Sequence, residues 1–165
     1  YRYFVVDKER DEEGKIISST YIREMLADGN IIKANDLLGY YYFVTGTVQH
    51  GNAIGHTKLY PTANLIPPAV KHLPKFGVYV TRVTVDGKTY GGLTNVGAKP
   101  TISGENPVGV ETYLYNFEGD LYGKDMKVEL LDFVRPEMKF ESIDALKAQL
   151  DHDIKECQRR YLEFA

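Results

Sequence analysis

The chain has 165 residues, with 20 Lys and Arg against 23 Asp and Glu, which leaves a formal net charge of −3. This is the length of one domain, and the charge gives no support to a nucleic-acid partner. The single cysteine, Cys157, allows no intramolecular disulfide and no cysteine-based metal site, which favours a reducing, cytoplasmic compartment. No apolar run is long enough to cross a membrane as a helix, so no membrane partner is expected. The chain begins at Tyr1 with neither Met nor a leader, which indicates a piece of a longer protein rather than a secreted precursor.

The first 38 residues differ in pattern from the rest and are predicted to form a separate, mainly helical segment. Residues 2–6 predict a short strand, which a charged loop follows. The hydroxyls of residues 18–20 are candidate N-caps for a helix that ends at Gly29, and a second short helix over residues 31–38 ends at Gly39. We expect residues 39–165 to be the main domain, and residues 1–38 to be either the end of a preceding domain or a segment that brackets the main one.

From Tyr40 onward the apolar residues recur with the period of two that is typical of β-strands. The Asp86-Gly87 pair predicts a tight hairpin turn. Ser142 is a candidate N-cap for a C-terminal helix whose apolar stripe includes Cys157, which we interpret as a core residue. The predicted strands cover residues 40–48, 76–85, 89–95, 108–117 and 126–134. Successive strands with no helix between them predict an antiparallel barrel or sandwich, with the final helix packed on it.

The segment from Gly46 to Asn64 is the first candidate for a binding site. Its glycines would let backbone N–H groups approach phosphate oxygens, although a long turn between strands explains the same spacing. Thr62 and Asn64 flank Ala63, so in an extended chain both side chains point the same way and offer oxygen ligands suited to Mg²⁺ that already holds nucleotide phosphates. Ordinary turn chemistry is the alternative explanation of this pair.

Glu111 is the second candidate, because it is the one carboxylate inside an otherwise uncharged predicted strand. Alternation places it on the same face as Tyr113 and Tyr115. A lone acid on a tyrosine-lined face could be a general base that acts on a hydroxyl, as phosphoryl transfer requires. Glu111 could equally be a solvent-facing residue of an exposed strand. Arg135 and Glu137, on either side of Pro136, could form a surface ion pair.

Taken in order, these residues resemble the riboflavin kinase family over nearly the whole of residues 40–162. Each motif is weak alone, but their order along the chain makes the resemblance specific. The matching motifs are Gly46-x-Val48-x-His50-Gly51 with Gly55, Tyr60-Pro61-Thr62-Ala63-Asn64-Leu65, Gly77-Val78-Tyr79, Thr94-Asn95-Val96-Gly97-x-x-Pro100-Thr101, Glu111-Thr112, Asp120-Leu121-Tyr122-Gly123 and Arg135-Pro136-Glu137-x-x-Phe140.

The resemblance implies a mainly β fold, a six-stranded antiparallel Greek-key-type barrel with a packed C-terminal helix. It also implies an enzyme that phosphorylates the 5′-hydroxyl of riboflavin with ATP, giving FMN and ADP. Glu111 is then the general base, and Thr62 with Asn64 holds Mg²⁺-ATP. Further positions follow from the motifs: ATP binding by Gly51, Gly55, His56, Leu114, Asn116 and Tyr122, and flavin binding by Arg135 and Phe140. The alternative is a non-catalytic flavin- or FMN-binding barrel module, which would need neither Glu111 nor the Thr62 and Asn64 pair.

The sequence departs from the family pattern at His56, Lys58 and Leu59, where the family usually has Arg, Leu and Gly, and Lys58 could supply the charge that His56 lacks. Near the start, residues 17–23 with Gly29 and Gly39 resemble the end of the FMN adenylyltransferase module that precedes the kinase in bacterial bifunctional FAD synthetases. The His-x-Gly-His nucleotide loop of that module is not among these residues. We therefore expect this chain to make FMN but no FAD, and we expect an upstream adenylyltransferase domain in the full-length protein.

Overall fold

A computed structural model describes residues 2–49, 60–98 and 108–164. Two helices come first, α1 (Ser19–Asp28) and α2 (Ile31–Leu38). The Ser18 hydroxyl caps α1 by accepting a hydrogen bond from the backbone N–H of Tyr21 at 3.2 Å. Both helices end at a glycine in the left-handed conformation, with φ of 82° at Gly29 and 72° at Gly39. The bounds predicted for the second helix are confirmed.

The strand predicted at residues 2–6 is wrong. These residues form no strand, and the side chains of Tyr3 to Val6 are between 82% and 88% exposed. Aromatic and β-branched residues favour a strand only where a neighbouring strand supplies hydrogen bonds and a packing surface. Within the described residues no such neighbour exists for this segment.

Six antiparallel strands form a nearly closed barrel: β1 (Phe43–Thr47), β2 (Ala63–Leu65), β3 (Gly77–Val85), β4 (Lys88–Ala98), β5 (Val108–Leu114) and β6 (Asp125–Pro136). Their order in the sheet is β1-β6-β3-β4-β5-β2. Strand β6 returns to pair with β3 beside the β3-β4-β5 meander, which is the order of a Greek key. The backbone N–H of Gln49 donates to the carbonyl of Asn64 at 2.9 Å and brings the two edges of the sheet together. The predicted mainly β barrel is confirmed.

The hairpin turn between β3 and β4 has the predicted chemistry. Asp86 and Gly87 both have positive φ, 49° and 71°. These are the conformations that a two-residue turn needs to follow the twist of its strands. The turn fixes the register of β3 against β4, in which Val78 lies opposite Asn95 and Thr84 lies opposite Thr89.

Two apolar clusters lie on the two faces of the sheet. The inner cluster fills the barrel with residues such as Val44, Leu65, Val96, Val110 and Val128, all fully buried. The outer cluster lies under the C-terminal helix α3 (Ile143–Tyr161), which Ser142 caps as predicted, and it consists of Val78, Val80, Leu93, Tyr115, Leu131 and Cys157. Gly91 permits this packing, because a Cβ atom there would lie 3.0 Å from ring atoms of both Tyr115 and Tyr161.

Cys157 is a core residue, as predicted. Its side chain is fully buried on α3, and burial raises the pKa of its thiol from 9.0 to about 12, with Asp153 adding to the rise. A thiol with this pKa stays protonated and unreactive.

Helices α1 and α2 pack against the barrel. Leu26, Ile31 and Ala34 belong to the inner cluster. The buried side chain of Asn35 links the segments, because its Nδ2 donates to the Leu130 carbonyl at 2.9 Å and its Oδ1 accepts from the backbone N–H of Tyr42 at 2.7 Å. None of the helices in the described residues has the length and apolar character that a membrane crossing requires.

Candidate active site

Strand register places Asn64, Glu111 and Asn95 in one row across three strands. Asn64 on β2 lies opposite Glu111 on β5, and Glu111 lies opposite Asn95 on β4. Residues directly opposite each other in an antiparallel sheet point to the same face, and adjacent strands are about 4.8 Å apart. The row continues through Val78 on β3 to Arg135 on β6.

This row lies on the outer face of the barrel. The residues on either side of Glu111 in β5, Val110 and Thr112, are fully buried and face inward, and Ala63 and Leu65 flank Asn64 in the same way. Alternation therefore turns Glu111 and Asn64 outward. Glu111 therefore shares its face with Tyr113, as the strand alternation predicted, and the structure shows that this face is the outer one.

Thr62 and Asn64 occupy neighbouring positions at the start of β2. Thr62 precedes the strand and is exposed, whereas Asn64 is buried. The Nδ2 of Asn64 lies 3.4 Å from the carbonyl oxygen of Thr62. In the described part of the chain no three His, Cys, Asp or Glu side chains come together as a metal site. A cation at Thr62 and Asn64 would thus need further oxygen ligands from a bound phosphate and from water, which is how Mg²⁺ is commonly held.

Tyrosine rings surround the row on the side of α3. The ring of Tyr60 lies 5.3 Å from that of Tyr113, and Tyr113 lies 5.8 Å from Tyr115, centroid to centroid. The Tyr60 hydroxyl donates to the carboxylate of Asp151 on α3, which raises the pKa of Tyr60. The helix therefore holds the residue that leads into Thr62 and Asn64.

The residues assigned to ATP binding fall into two groups. Gly51, Gly55 and His56 lie outside the described residues. Leu114, Asn116 and Tyr122 lie at the end of the barrel where β5 stops and β6 starts.

The three residues of this second group differ in how far their side chains are exposed. The side chain of Leu114 belongs to the inner core, so only its backbone can face a ligand. Asn116 is exposed with φ of 55°, and Tyr122 is 41% exposed. Gly123, next to Tyr122, donates its backbone N–H to the carbonyl of Val48 at 2.9 Å, so this turn lies beside the segment that leads into residues 50–59.

Arg135 does not form the surface ion pair with Glu137 that was one explanation of its sequence context. Its Nη2 and Nε donate to the carboxylate of Asp153 on α3, at 2.6 Å and 2.9 Å to Oδ2. Asp153 is 1% exposed and also accepts from Gln149 at 2.8 Å. The ring of Phe140 lies 6.0 Å from the guanidinium carbon of Arg135, so the two residues assigned to the flavin are neighbours.

Sequence reasoning gave no separate role to four residues of this region: Tyr60, Asn95, Asp151 and Asp153. The signal for Asp153 is present, since residue 153 falls on the apolar stripe of α3 between Leu150 and Cys157, where an acid requires a partner. No local signal identifies the partner of Tyr60, because it lies 91 residues further along the chain.

Comparisons with known proteins agree on one family. The riboflavin kinase family model matches residues 38–161. The bifunctional riboflavin kinase/FMN adenylyltransferase of Bacillus subtilis is 38% identical over 152 residues, which are 91% of this chain and 48% of that protein. The protein of the same description from Escherichia coli K12 is 40% identical over 143 residues, 86% of this chain and 45% of that protein. The chain thus spans about half the length of the curated relatives it matches.

Two solved structures resemble the fold. A crystal structure described as a macrolide-efflux protein from Streptococcus pneumoniae has a TM-score of 0.82 at 40% identity, covering 93% of this chain and 50% of that one. The riboflavin kinase of Trypanosoma brucei has a TM-score of 0.53 at 22% identity, covering 72% of this chain and 75% of that one, and this similarity concerns the fold alone. Because the family model covers well over half of its residues, the chain belongs to the riboflavin kinase family.

Proposed function

We propose that this chain transfers the γ-phosphoryl group of ATP to the 5′-hydroxyl of riboflavin, giving FMN and ADP. The observation that carries the proposal is the strand register, which sets Asn64 directly opposite Glu111 on the outer face. The Cα atom of Asn64, which is proposed to hold the phosphates, therefore lies about 5 Å from that of Glu111, the proposed base for the hydroxyl. Phosphoryl transfer depends mainly on such positioning.

Glu111 acts as the general base in this proposal. Its carboxylate accepts the proton of the 5′-hydroxyl as the oxygen of that hydroxyl attacks the γ-phosphorus. The new bond joins this oxygen to phosphorus, and the bond to the β,γ-bridging oxygen breaks, so that ADP leaves with the electron pair. A positioned base of this kind commonly contributes about 10²- to 10⁴-fold to the rate.

Thr62 and Asn64 fit a magnesium ion that arrives with the nucleotide. The hydroxyl and the side-chain carbonyl are hard oxygen donors, which Mg²⁺ prefers. When bound, the ion neutralises charge on the phosphates. The role of these residues is to fix the phosphate end beside Glu111, and that of the turn containing Asn116 and Tyr122 is to hold the rest of the nucleotide.

Arg135 and Phe140 supply the flavin side. Arg135 lies at the end of the outward row, three strands from Glu111, and Phe140 lies beside it. The buried Asp153 holds the Arg135 side chain in place, and the Phe140 ring beside it offers an apolar face to an aromatic ring system.

A direct assay tests this function. The full chain is incubated with riboflavin, Mg²⁺ and ATP labelled in its γ-phosphate, and the flavins are separated by chromatography. The proposal predicts label in FMN, with one ADP formed for each FMN. If flavin fluorescence reports binding but no FMN forms, the chain is a flavin-binding module and the proposed activity is wrong.

A further inference from the structure

Asn95 is an outward-facing residue of β4 that the proposed chemistry does not use. Its neighbours in the strand, Thr94 and Val96, are fully buried inside the barrel, so its side chain projects from the outer face. It lies directly opposite Glu111 on one side and Val78 on the other. Asn95 therefore stands between the proposed base and the strands that lead to Arg135.

Packing within the fold does not explain an asparagine at this position. Asn is disfavoured within strands, where β-branched and aromatic residues pack better. In the described residues the Asn95 side chain makes no hydrogen bond, whereas the buried Asn35 uses both ends of its amide. Helix α3 covers Leu93, two residues earlier on the same face, but Asn95 is only half-buried. An amide at this place has hydrogen-bonding capacity that a ligand can use.

On the Gly97 side of Asn95, the outward-facing positions carry no side chains. Gly97, the next outward-facing residue of β4, lies opposite Gly109 of β5, so neither strand presents a side chain there. The Glu137 side chain approaches over Gly97, where a Cβ atom would lie 1.9 Å from its Oε1. Asn95 and Glu111 thus project beside two glycines, and the Glu137 carboxylate lies over one of them.

We propose that Asn95 is a specificity-determining residue whose side-chain amide hydrogen-bonds the secondary hydroxyls of the ribityl chain. This inference rests on the proposed function. If the terminal hydroxyl meets Glu111, the secondary hydroxyls next to it come close to Asn95, because Asn95 lies directly opposite Glu111 on the neighbouring strand. Each hydroxyl is both a donor and an acceptor, and an amide offers both partners from one side chain.

The test compares two alcohols in wild type, Asn95→Ala and Asn95→Val. One is riboflavin, and the other is the isoalloxazine that carries an unbranched 5-hydroxypentyl chain, which keeps the terminal hydroxyl and lacks the secondary ones. Dissociation constants are measured by quenching of flavin fluorescence, and kcat/KM is measured with Mg-ATP. Thr89→Ala, an exposed position on the same strand, is the matched control.

Loss of a neutral hydrogen bond predicts riboflavin binding about threefold to tenfold weaker in both Asn95 variants, with hydroxypentyl-flavin binding within about twofold of wild type. The control is expected to match wild type with both ligands. Val favours strands, so Asn95→Val keeps the test valid if Asn95→Ala folds poorly. Equal losses for both ligands, or no loss for riboflavin, overturn the role of Asn95. The binding measurement stands even if no FMN forms, so failure of the proposed activity and failure of this inference are distinguishable.

Discussion

At the scale of single residues, Glu111 is the position on which the proposed chemistry depends most. Replacement by Gln keeps the size and the hydrogen-bonding capacity of the side chain but removes the proton acceptor. We expect turnover to fall by roughly 10²- to 10⁴-fold, the usual contribution of a positioned base, with the dissociation constants of flavin and ATP within about tenfold. Steady-state FMN formation and fluorescence titration measure the two effects.

Glu24→Gln serves as the control for Glu111→Gln, because it removes one carboxylate from an exposed position of α1. It is expected to leave turnover unchanged. Near-native turnover in Glu111→Gln would remove this carboxylate from the mechanism.

Thr62 and Asn64 allow a second test at this scale, since they are proposed to meet the nucleotide and its cation rather than the flavin. We expect Thr62→Ala and Asn64→Ala each to raise the KM for Mg-ATP by about tenfold or more, because contacts to charged groups are worth more than neutral ones. Flavin binding without nucleotide should stay within about twofold of wild type, as it should in Thr20→Ala, an exposed control. Equal losses for both ligands would mean that the pair is only structural.

At the scale of elements, α3 is attached to the barrel by an ion pair that also orients a proposed flavin residue. Removing one partner of a buried pair leaves the other charge without compensation. We expect Asp153→Ala to lower the free energy of unfolding by about 3–5 kcal/mol, measured by urea denaturation. Wild-type stability in this variant would show that the Arg135 contact does not fasten the helix.

The double variant Arg135→Met with Asp153→Leu separates stability from binding. It replaces the pair by apolar side chains, so it should recover most of the stability that Asp153→Ala loses. Flavin binding should be weaker than in wild type, because Arg135 is proposed to serve the flavin. Recovery of both properties would assign Arg135 to the fold alone.

Glu156 makes the folding stability of the chain depend on pH in the acid range. Hydrogen bonds from Arg159 and then Arg160 lower the pKa of this carboxyl from 4.5 to about 2. Because the pKa is lower in the folded state, the contribution to stability is complete above pH 4.5 and is lost as the pH falls towards 2. The melting temperature of Glu156→Gln should therefore lie below that of wild type near neutral pH, and the difference should shrink through this window. A difference that stays constant with pH would contradict this assignment.

The elements also show what could be predicted from the sequence. Helix α2 was predicted to the residue because its ends depend on neighbours such as Gly39, and the Asp86-Gly87 turn is local in the same way. Strand β2 has three residues and exists through its pairing with β5, which no local pattern reveals. Residues 2–6 show the opposite case. Their composition favours a strand, but none of the described strands pairs with them.

In the candidate site, too, local features could be predicted from the sequence and contacts between distant segments could not. Motif order pointed to Glu111, Thr62 and Asn64, and alternation placed Glu111 on the same face as Tyr113. Register across strands could not be read from one sequence, so Asn95 was quoted only as part of a motif, and its place beside Glu111 emerged from the fold. Contacts between distant segments, such as Tyr60 with Asp151, were inaccessible in the same way.

At the scale of the whole molecule, α1 and α2 pack against the barrel and share its core. Leu26 and Ile31 complete the inner core, and the Lys75 backbone N–H donates to the Leu26 carbonyl at 2.8 Å. We nevertheless propose that residues 1–38 derive from the end of an adenylyltransferase domain and residues 39–165 from the kinase. The helices would then be the place where the two activities of a longer protein are joined.

This division predicts the products that the 165-residue chain makes by itself. Ser18, Ser19 and Arg23 form a hydroxyl and guanidinium group at the start of α1 that could steady a triphosphate, but the Ser18 hydroxyl already caps the helix and Arg23 is exposed. Roughly 40 residues are too few to enclose a nucleotide. Incubated with FMN and Mg-ATP, the chain should therefore form no FAD, while riboflavin is still converted to FMN. Arg23→Ala should leave FMN formation unchanged, since this side chain lies outside the proposed kinase site. FAD that increases in proportion to the amount of protein, and that Arg23→Ala abolishes, would assign residues 1–38 an adenylyl-transferring role of their own.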